Sequence, residues 1–109
     1  MKTDSALSWQ PTTAPLTLKR RAALLAQTRK FFADRGVLEV DTPMVVHAAV
    51  TDVHIHSARV ELEQGGAADR PERSFFLHTS PEYAMKRLLA AGSGDIYQIC
   101  HVVRALERS

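Results

Sequence analysis

The sequence predicts an α+β domain built around an antiparallel sheet, and three observations support this fold class. Apolar residues recur with the period of a helix over residues 16–35, and several short segments alternate between polar and apolar side chains as strands do. A strong helix start, Ser80-Pro81-Glu82, introduces a second helix late in the chain. Strands grouped between two helices favour an α+β arrangement, although the pattern alone leaves a helical crossover between parallel strands open.

The first helix is predicted over residues 16–35, after a polar lead-in of residues 1–15. Its apolar face is formed by Leu18, Ala22, Leu25 and Phe32. Thr17 is the candidate N-cap, and Gly36 is expected to end the helix because glycine adopts the left-handed conformation without strain. The domain is therefore expected to span residues 16–109.

The strands are predicted from alternation and from their β-branched residues. They cover residues 37–41, 53–57, 59–63, 74–78 and 96–103. Pro43 ends the first strand region because proline cannot donate to a ladder. Residues 64–73 hold two glycines and a proline and are predicted to form an exposed hairpin loop, while residues 44–51 follow no single pattern.

The second helix has signals at both ends. Ser80 is a preferred N-cap residue, Pro81 is pre-organised for the first helical position, and the carboxylate of Glu82 suits the positive end of the helix dipole. Gly92 is expected to close the helix.

Composition indicates an ordinary globular protein. Hydrophobic residues make up 45% of the chain and charged residues 24%, and the formal net charge of +2 is too small to argue for nucleic acid. The single cysteine, Cys100, excludes an intrachain disulfide and is expected to be buried. No long apolar run opens the chain, so a cytoplasmic protein without a membrane segment is expected.

Two histidines, His54 and His56, would share one face of a predicted strand. Such a pair can bind zinc, with Asp52 as a third candidate ligand. Structural zinc sites need four ligands, however, so solvated strand histidines are the favoured interpretation and no metal site is predicted.

Three segments, in order, resemble the class II aminoacyl-tRNA synthetases. FFADRGVLEVDTPMV, residues 31–45, resembles motif 1, the helix and strand that build the family's dimer interface. LHTSPEYAMKRLLAAG, residues 77–92, is similar to the segment of the lysine branch that binds the substrate amino group. DIYQICHVVRALE, residues 95–107, resembles the motif 2 strand with its arginine at Arg104. The resemblance implies a partial class II catalytic domain and a homodimer with Phe32, Val40 and Pro43 at its interface.

Within the class, the chain most resembles the ligases that place a lysine on elongation factor P. Two short segments carry this resemblance. The first is Thr-Ser-Pro-Glu-Tyr with Met-Lys-Arg-Leu-Leu after it, and the second is Val50-Thr51-Asp52. Only a short lead-in precedes the first helix, where a lysyl-tRNA synthetase has an anticodon-binding barrel. The resemblance implies adenylation of lysine or β-lysine with ATP and Mg²⁺, and transfer to a lysine of elongation factor P. A tRNA substrate is not expected.

The resemblance also assigns roles to individual residues. Arg104 would stabilise the α-phosphate and the substrate carboxylate, which suits a guanidinium because it stays charged and binds oxyanions in a fork. Glu82 would accept the substrate ammonium, with Ser80 and Pro81 shaping the same wall. Leu106 and Glu107 follow Arg104 on the ATP side: many members carry an acid at the position of Leu106, and Glu107 lies near the family's adenine-contacting glutamate.

Two other functions stay open at this stage. The chain stops before the family's third motif, so the ligase is expected to be truncated and inactive alone. The alternative is a non-catalytic dimerisation or interaction fragment. The chain could also be a fragment of a lysyl-tRNA synthetase.

Overall fold

The computed structural model describes residues 9–47, 57–61 and 75–105. This part contains two helices and five short strands, which confirms the α+β class. They are α1 (Pro15–Asp34), β1 (Leu38–Glu39), β2 (Val45–Val46), β3 (Arg59–Val60), β4 (Phe75–Leu77), α2 (Glu82–Ala90) and β5 (Ile96–Tyr97). The chain divides into two compact units, Met1–Gly36 and Val37–Ser109, which are described separately.

Helix α1 forms the first unit and begins one residue before the predicted start. Its N-cap is Ala14, which offers no side-chain hydrogen bond, and Pro15 is already helical. The prediction of Thr17 as N-cap is therefore wrong, because proline starts the helix through its fixed φ. Gly36 does end the helix: it has φ +73°, and its N–H donates to the Ala33 carbonyl at 3.1 Å.

The surface of α1 is apolar in several places. None of its residues is buried, and the side chains of Leu24 and Phe31 are 63% and 48% exposed. Phe31 packs edge-on against Phe32, with ring centroids 5.2 Å apart, and the Arg35 guanidinium lies 3.5 Å from the Phe31 ring centroid. Within its own unit, α1 thus leaves an apolar surface exposed.

The second unit contains a three-stranded antiparallel sheet in the order β2-β4-β3. Val45 pairs with Leu77 on one side, and Arg59 pairs with Phe76 on the other. The predicted strand at residues 74–78 is confirmed by β4, and β3 confirms the start of the predicted strand at 59–63. Residues 53–56 of another predicted strand and the predicted loop at residues 64–73 lie outside the described residues.

Strands β1 and β5 pair in parallel, in register Leu38 with Ile96 and Glu39 with Tyr97. The predicted antiparallel sheet is therefore only part of the structure. The sequence pattern left open a crossover between parallel strands, and β1 and β5 are such a parallel pair. Both strands are shorter than predicted, because the ladder ends after two residues. Beyond it, the Val40 N–H still donates to the Tyr97 carbonyl at 3.0 Å.

Helix α2 starts at Glu82, with Pro81 as its N-cap residue. Ser80, predicted as the N-cap, lies one residue before the observed N-cap. Its Oγ accepts a hydrogen bond from the Glu82 N–H at 3.1 Å. At the other end, Gly92 has φ +94° and donates to Leu89, while the Ser93 N–H donates to the Leu88 carbonyl. These two bonds form a Schellman motif, as the glycine predicted.

The most buried residues of the described part are polar. Among the described residues no apolar side chain is buried, whereas His78 and Thr79 are 5% and 2% exposed. Cys100 is exposed, so the prediction that it is buried is wrong: it lies just beyond the short β5 ladder. Neither described helix is long and apolar enough to cross a membrane.

Candidate functional site

A cavity of about 330 Å³ opens in the second unit where β2 and β4 lead into α2. Its apolar lining comes from Pro43, Val45, Val46, Leu77, Pro81, Tyr83 and Ala84. Its polar lining comes from His47, Ser57, His78, Thr79, Ser80 and Arg87. Apolar walls with a few polar groups are typical of sites for small molecules, and the volume lies in their usual range.

Two buried polar side chains form part of this lining. The His78 Nε2 lies 2.7 Å from the His101 carbonyl oxygen, so that ring nitrogen is engaged. The His78 Nδ1 and the Thr79 hydroxyl are buried and have no hydrogen-bond partner within the described residues. Buried polar atoms are nearly always satisfied, so both atoms are candidates to bind a ligand or a water molecule.

The structure brings Arg104 next to the predicted substrate-binding segment. The Arg104 Nε lies 3.4 Å from the Thr79 carbonyl oxygen, a long hydrogen bond, although 25 positions separate them in sequence. The Val103 N–H donates to the His78 carbonyl at 3.1 Å and fixes the neighbouring backbone. Arg104 therefore lies beside Thr79, one residue before Ser80.

The three residues predicted to bind substrate do not all face the cavity. Ser80 and Pro81 line it, whereas the Glu82 side chain is 62% exposed and is not part of the lining. Its carboxylate lies 2.8 Å from the Lys86 Nζ on the next turn of α2. The hydrogen bond that Lys86 donates to Glu82, together with the negative charge of that carboxylate, raises the pKa of the Lys86 ammonium. Glu82 thus binds an ammonium in this structure, but one from its own helix.

The residues predicted for a dimer interface lie in different surroundings. Phe32 is half-buried within its unit, Val40 is half-buried directly after β1, and Pro43 is exposed at the cavity. These positions do not test the predicted dimer. Leu106 and Glu107, predicted on the ATP side, lie outside the described residues, as do His54 and His56.

The described residues offer no set of three His, Cys, Asp or Glu side chains that could hold a metal ion.

Sequence reasoning missed the two buried residues at the centre of the site, His78 and Thr79. Their signal was present, because two polar residues directly follow an apolar strand and precede a helix start. It also missed a second polar contact, in which the Thr42 hydroxyl donates to the Gln98 Oε1 at 3.0 Å. Such contacts join distant segments and cannot be found from local patterns.

A model of the family described as "tRNA synthetases class II (D, K and N)" matches residues 3–108 of the chain. The chain is also similar to curated proteins named elongation factor P–(R)-β-lysine ligase. It is 54% identical over 97 residues to that of Erwinia tasmaniensis, covering 89% of the chain and 29% of the relative. It is 54% identical over 92 residues to those of Vibrio campbellii and Vibrio parahaemolyticus, covering 84% of the chain and 28% of each relative. The chain thus spans less than a third of the length of these relatives.

Proposed function

The chain belongs to the class II tRNA synthetase family, and on this basis we propose that it is the N-terminal part of a ligase that modifies elongation factor P. The substrate carboxylate, of lysine or β-lysine, attacks the α-phosphorus of ATP, and pyrophosphate leaves. The resulting aminoacyl adenylate then acylates the amine of a lysine side chain on elongation factor P and releases AMP. The names of relatives at 54% identity support this substrate class.

The observation that carries the proposal is the position of Arg104 beside Thr79, the residue before Ser80. Adenylation brings together two anions, and negative charge increases on the phosphate as the new bond forms. A fixed guanidinium next to the substrate segment stabilises that charge without having to reorganise. Arg104 lies here because the N–H of its neighbour Val103 donates to the carbonyl of His78, the residue directly after β4.

Glu82 is proposed to accept the substrate ammonium. Its pairing with Lys86 supports this role, because it shows that an ammonium can approach the carboxylate to 2.8 Å. The substrate amine would have to displace Lys86, a surface partner whose side chain is 64% exposed. Displacing a solvent-exposed partner costs little, because water already screens such pairs.

The cavity is proposed to hold part of the same substrate. Its apolar lining, which includes Val45, Leu77 and Ala84, suits the aliphatic stem of a lysine. Thr79 and Ser80 supply polar groups to the lining. ATP is the proposed second substrate.

A second candidate is a non-catalytic dimerisation fragment, and one observation favours it. Helix α1 buries none of its residues within its own unit and exposes leucine and phenylalanine side chains, as a helix that binds a partner would. The two functions are compatible, because the ligase is also proposed to be a homodimer with Phe32, Val40 and Pro43 at the interface.

The proposal is tested with a chimera: the Erwinia tasmaniensis ligase, with its matched segment replaced by the 97 matching residues of this chain. Elongation factor P is incubated with the chimera, ATP and (R)-β-lysine, and its mass is measured. We expect an added mass of one β-lysyl group that disappears with Arg104→Ala. A soluble chimera that leaves elongation factor P unmodified, while the parent ligase modifies it, would contradict the proposal.

A further inference from the structure

We propose that His78 is a positioning residue for Arg104, and that its Nε2 carries the proton donated to the His101 carbonyl oxygen. What Arg104 does chemically rests on the function proposed above. How Arg104 is held in place does not, because that follows from the contacts of His78 alone.

His78 makes hydrogen bonds to two segments that lie far from it in sequence. Its N–H donates to the Met44 carbonyl at 2.8 Å, which ties it to the start of β2. Its carbonyl accepts the Val103 N–H at 3.1 Å, and its Nε2 lies 2.7 Å from the His101 carbonyl oxygen. One residue thus holds the backbone on both sides of position 102.

The segment that leads to Arg104 lies outside the ladders, between the end of β5 and a β-bridge at Ala105. The parallel ladder of β5 ends at Tyr97, and His101 and Val102 are exposed. Within the described residues, the hydrogen bonds of His101 and Val103 both run to His78. Without the imidazole, the bond to the His101 carbonyl would be lost, and only the backbone bond between Val103 and His78 would remain.

The proton position follows from the partner. A carbonyl oxygen only accepts hydrogen bonds, so Nε2 must donate, and in the neutral ring Nδ1 is then an acceptor. The ring is nine-tenths buried, and a hydrogen bond made in such surroundings is electrostatically stronger than one in water. This suits a residue that fixes geometry, since a displacement of about 1 Å at a reacting group can cost roughly a hundredfold in rate.

The first measurement is the tautomer of His78 in the chimera described above, by NMR of a sample labelled with ¹⁵N in its histidines. The His78 signals are assigned by their loss in His78→Gln. We expect Nε2 to have the shift of a protonated nitrogen and Nδ1 that of an unprotonated one near pH 8. A proton on Nδ1, or signals averaged between both tautomers, would overturn the proposal.

The second measurement is hydrogen–deuterium exchange of the peptide covering residues 99–105, with a peptide of α2 as reference. In His78→Leu, exchange at residues 99–105 should rise by roughly fivefold to tenfold, the factor that one lost hydrogen bond is worth, while α2 changes little. His78→Gln, whose amide nitrogen can replace Nε2 as donor, should restore most of the protection. His47→Gln, at the same cavity, is the matched control and should have no effect.

The variants separate positioning from general stability. Equal exchange in His78→Leu and the unchanged chain would overturn the proposal, and so would a failure of His78→Gln to recover any protection. If His78→Leu unfolds, α2 loses protection too, and the tautomer and the glutamine variant decide the question. None of these measurements requires a substrate, so a failed ligase assay would refute the proposed function and leave this result intact.

Discussion

Glu82, which is proposed to bind the substrate ammonium, also stabilises its own helix. It lies in the first turn of α2, where a negative charge stabilises the helix, and it pairs with Lys86 four residues later. The sequence predicts that Glu82 lies in the first turn. The spacing of four residues between Glu82 and Lys86 is also visible in the sequence and is typical of ion pairs on a helix. Whether the carboxylate also binds substrate depends on residues brought to it by tertiary structure, which local sequence does not encode.

At the residue scale we predict that Glu82→Gln, made in the chimera, raises the KM for lysine-type substrates by roughly tenfold to a hundredfold, the worth of a hydrogen bond to a charged group. The KM for ATP should change much less. Glu61→Gln, at an exposed carboxylate after β3, is the matched control. An unchanged KM for the amino acid, measured by steady-state kinetics, would show that Glu82 only stabilises its helix.

At the scale of elements, local signals predicted the helices well and the strand pairing less well. Gly36 and Gly92 end their helices as expected, because a positive φ is a property of the residue itself. The parallel pairing of β1 with β5 was left open, because it joins segments almost 60 positions apart and no short pattern records it. Strand lengths were overestimated, since alternation continues where the ladder stops.

Helix α1 carries the prediction at this scale. Phe32→Asp should weaken self-association of the chain by roughly tenfold or more, because truncating a central aromatic residue of an interface commonly costs over 1 kcal/mol. Ala23→Asp, at an exposed position on the side of the same helix opposite Phe32, introduces the same charge and should have little effect. Light scattering over a concentration series measures both. Unchanged association of a soluble Phe32→Asp variant would remove α1 from the interface.

At the scale of the whole molecule, the described residues bury two polar side chains and no apolar one. The hydrophobic effect is the main stabilising contribution in folded domains, so little of it is available within this part. The sequence predicted the α+β class, because the helix and strand patterns are local. It could not predict that the apolar residues stay exposed, because burial depends on what packs against them.

We therefore predict that the 109-residue chain alone is poorly stable. Its thermal transition should be broad or depend on protein concentration, since short strands with unpaired edges favour association. Circular dichroism melts at several concentrations provide the measurement. A sharp, reversible transition of a monomer, independent of concentration, would contradict this prediction.

The central claim is that Arg104, held beside Thr79, takes part in activating a lysine-type amino acid, and ATP–pyrophosphate exchange tests it most directly. The chimera should exchange pyrophosphate when lysine or (R)-β-lysine is added. Arg104→Ala should lower the rate by roughly a hundredfold to a thousandfold, the worth of one donor to a developing negative charge. Arg20→Ala, at an exposed position of α1, should retain full exchange, and the 109-residue chain alone should not exceed a protein-free blank. Full exchange by the Arg104→Ala chimera, or none by a soluble chimera with Arg104 intact, would contradict the account.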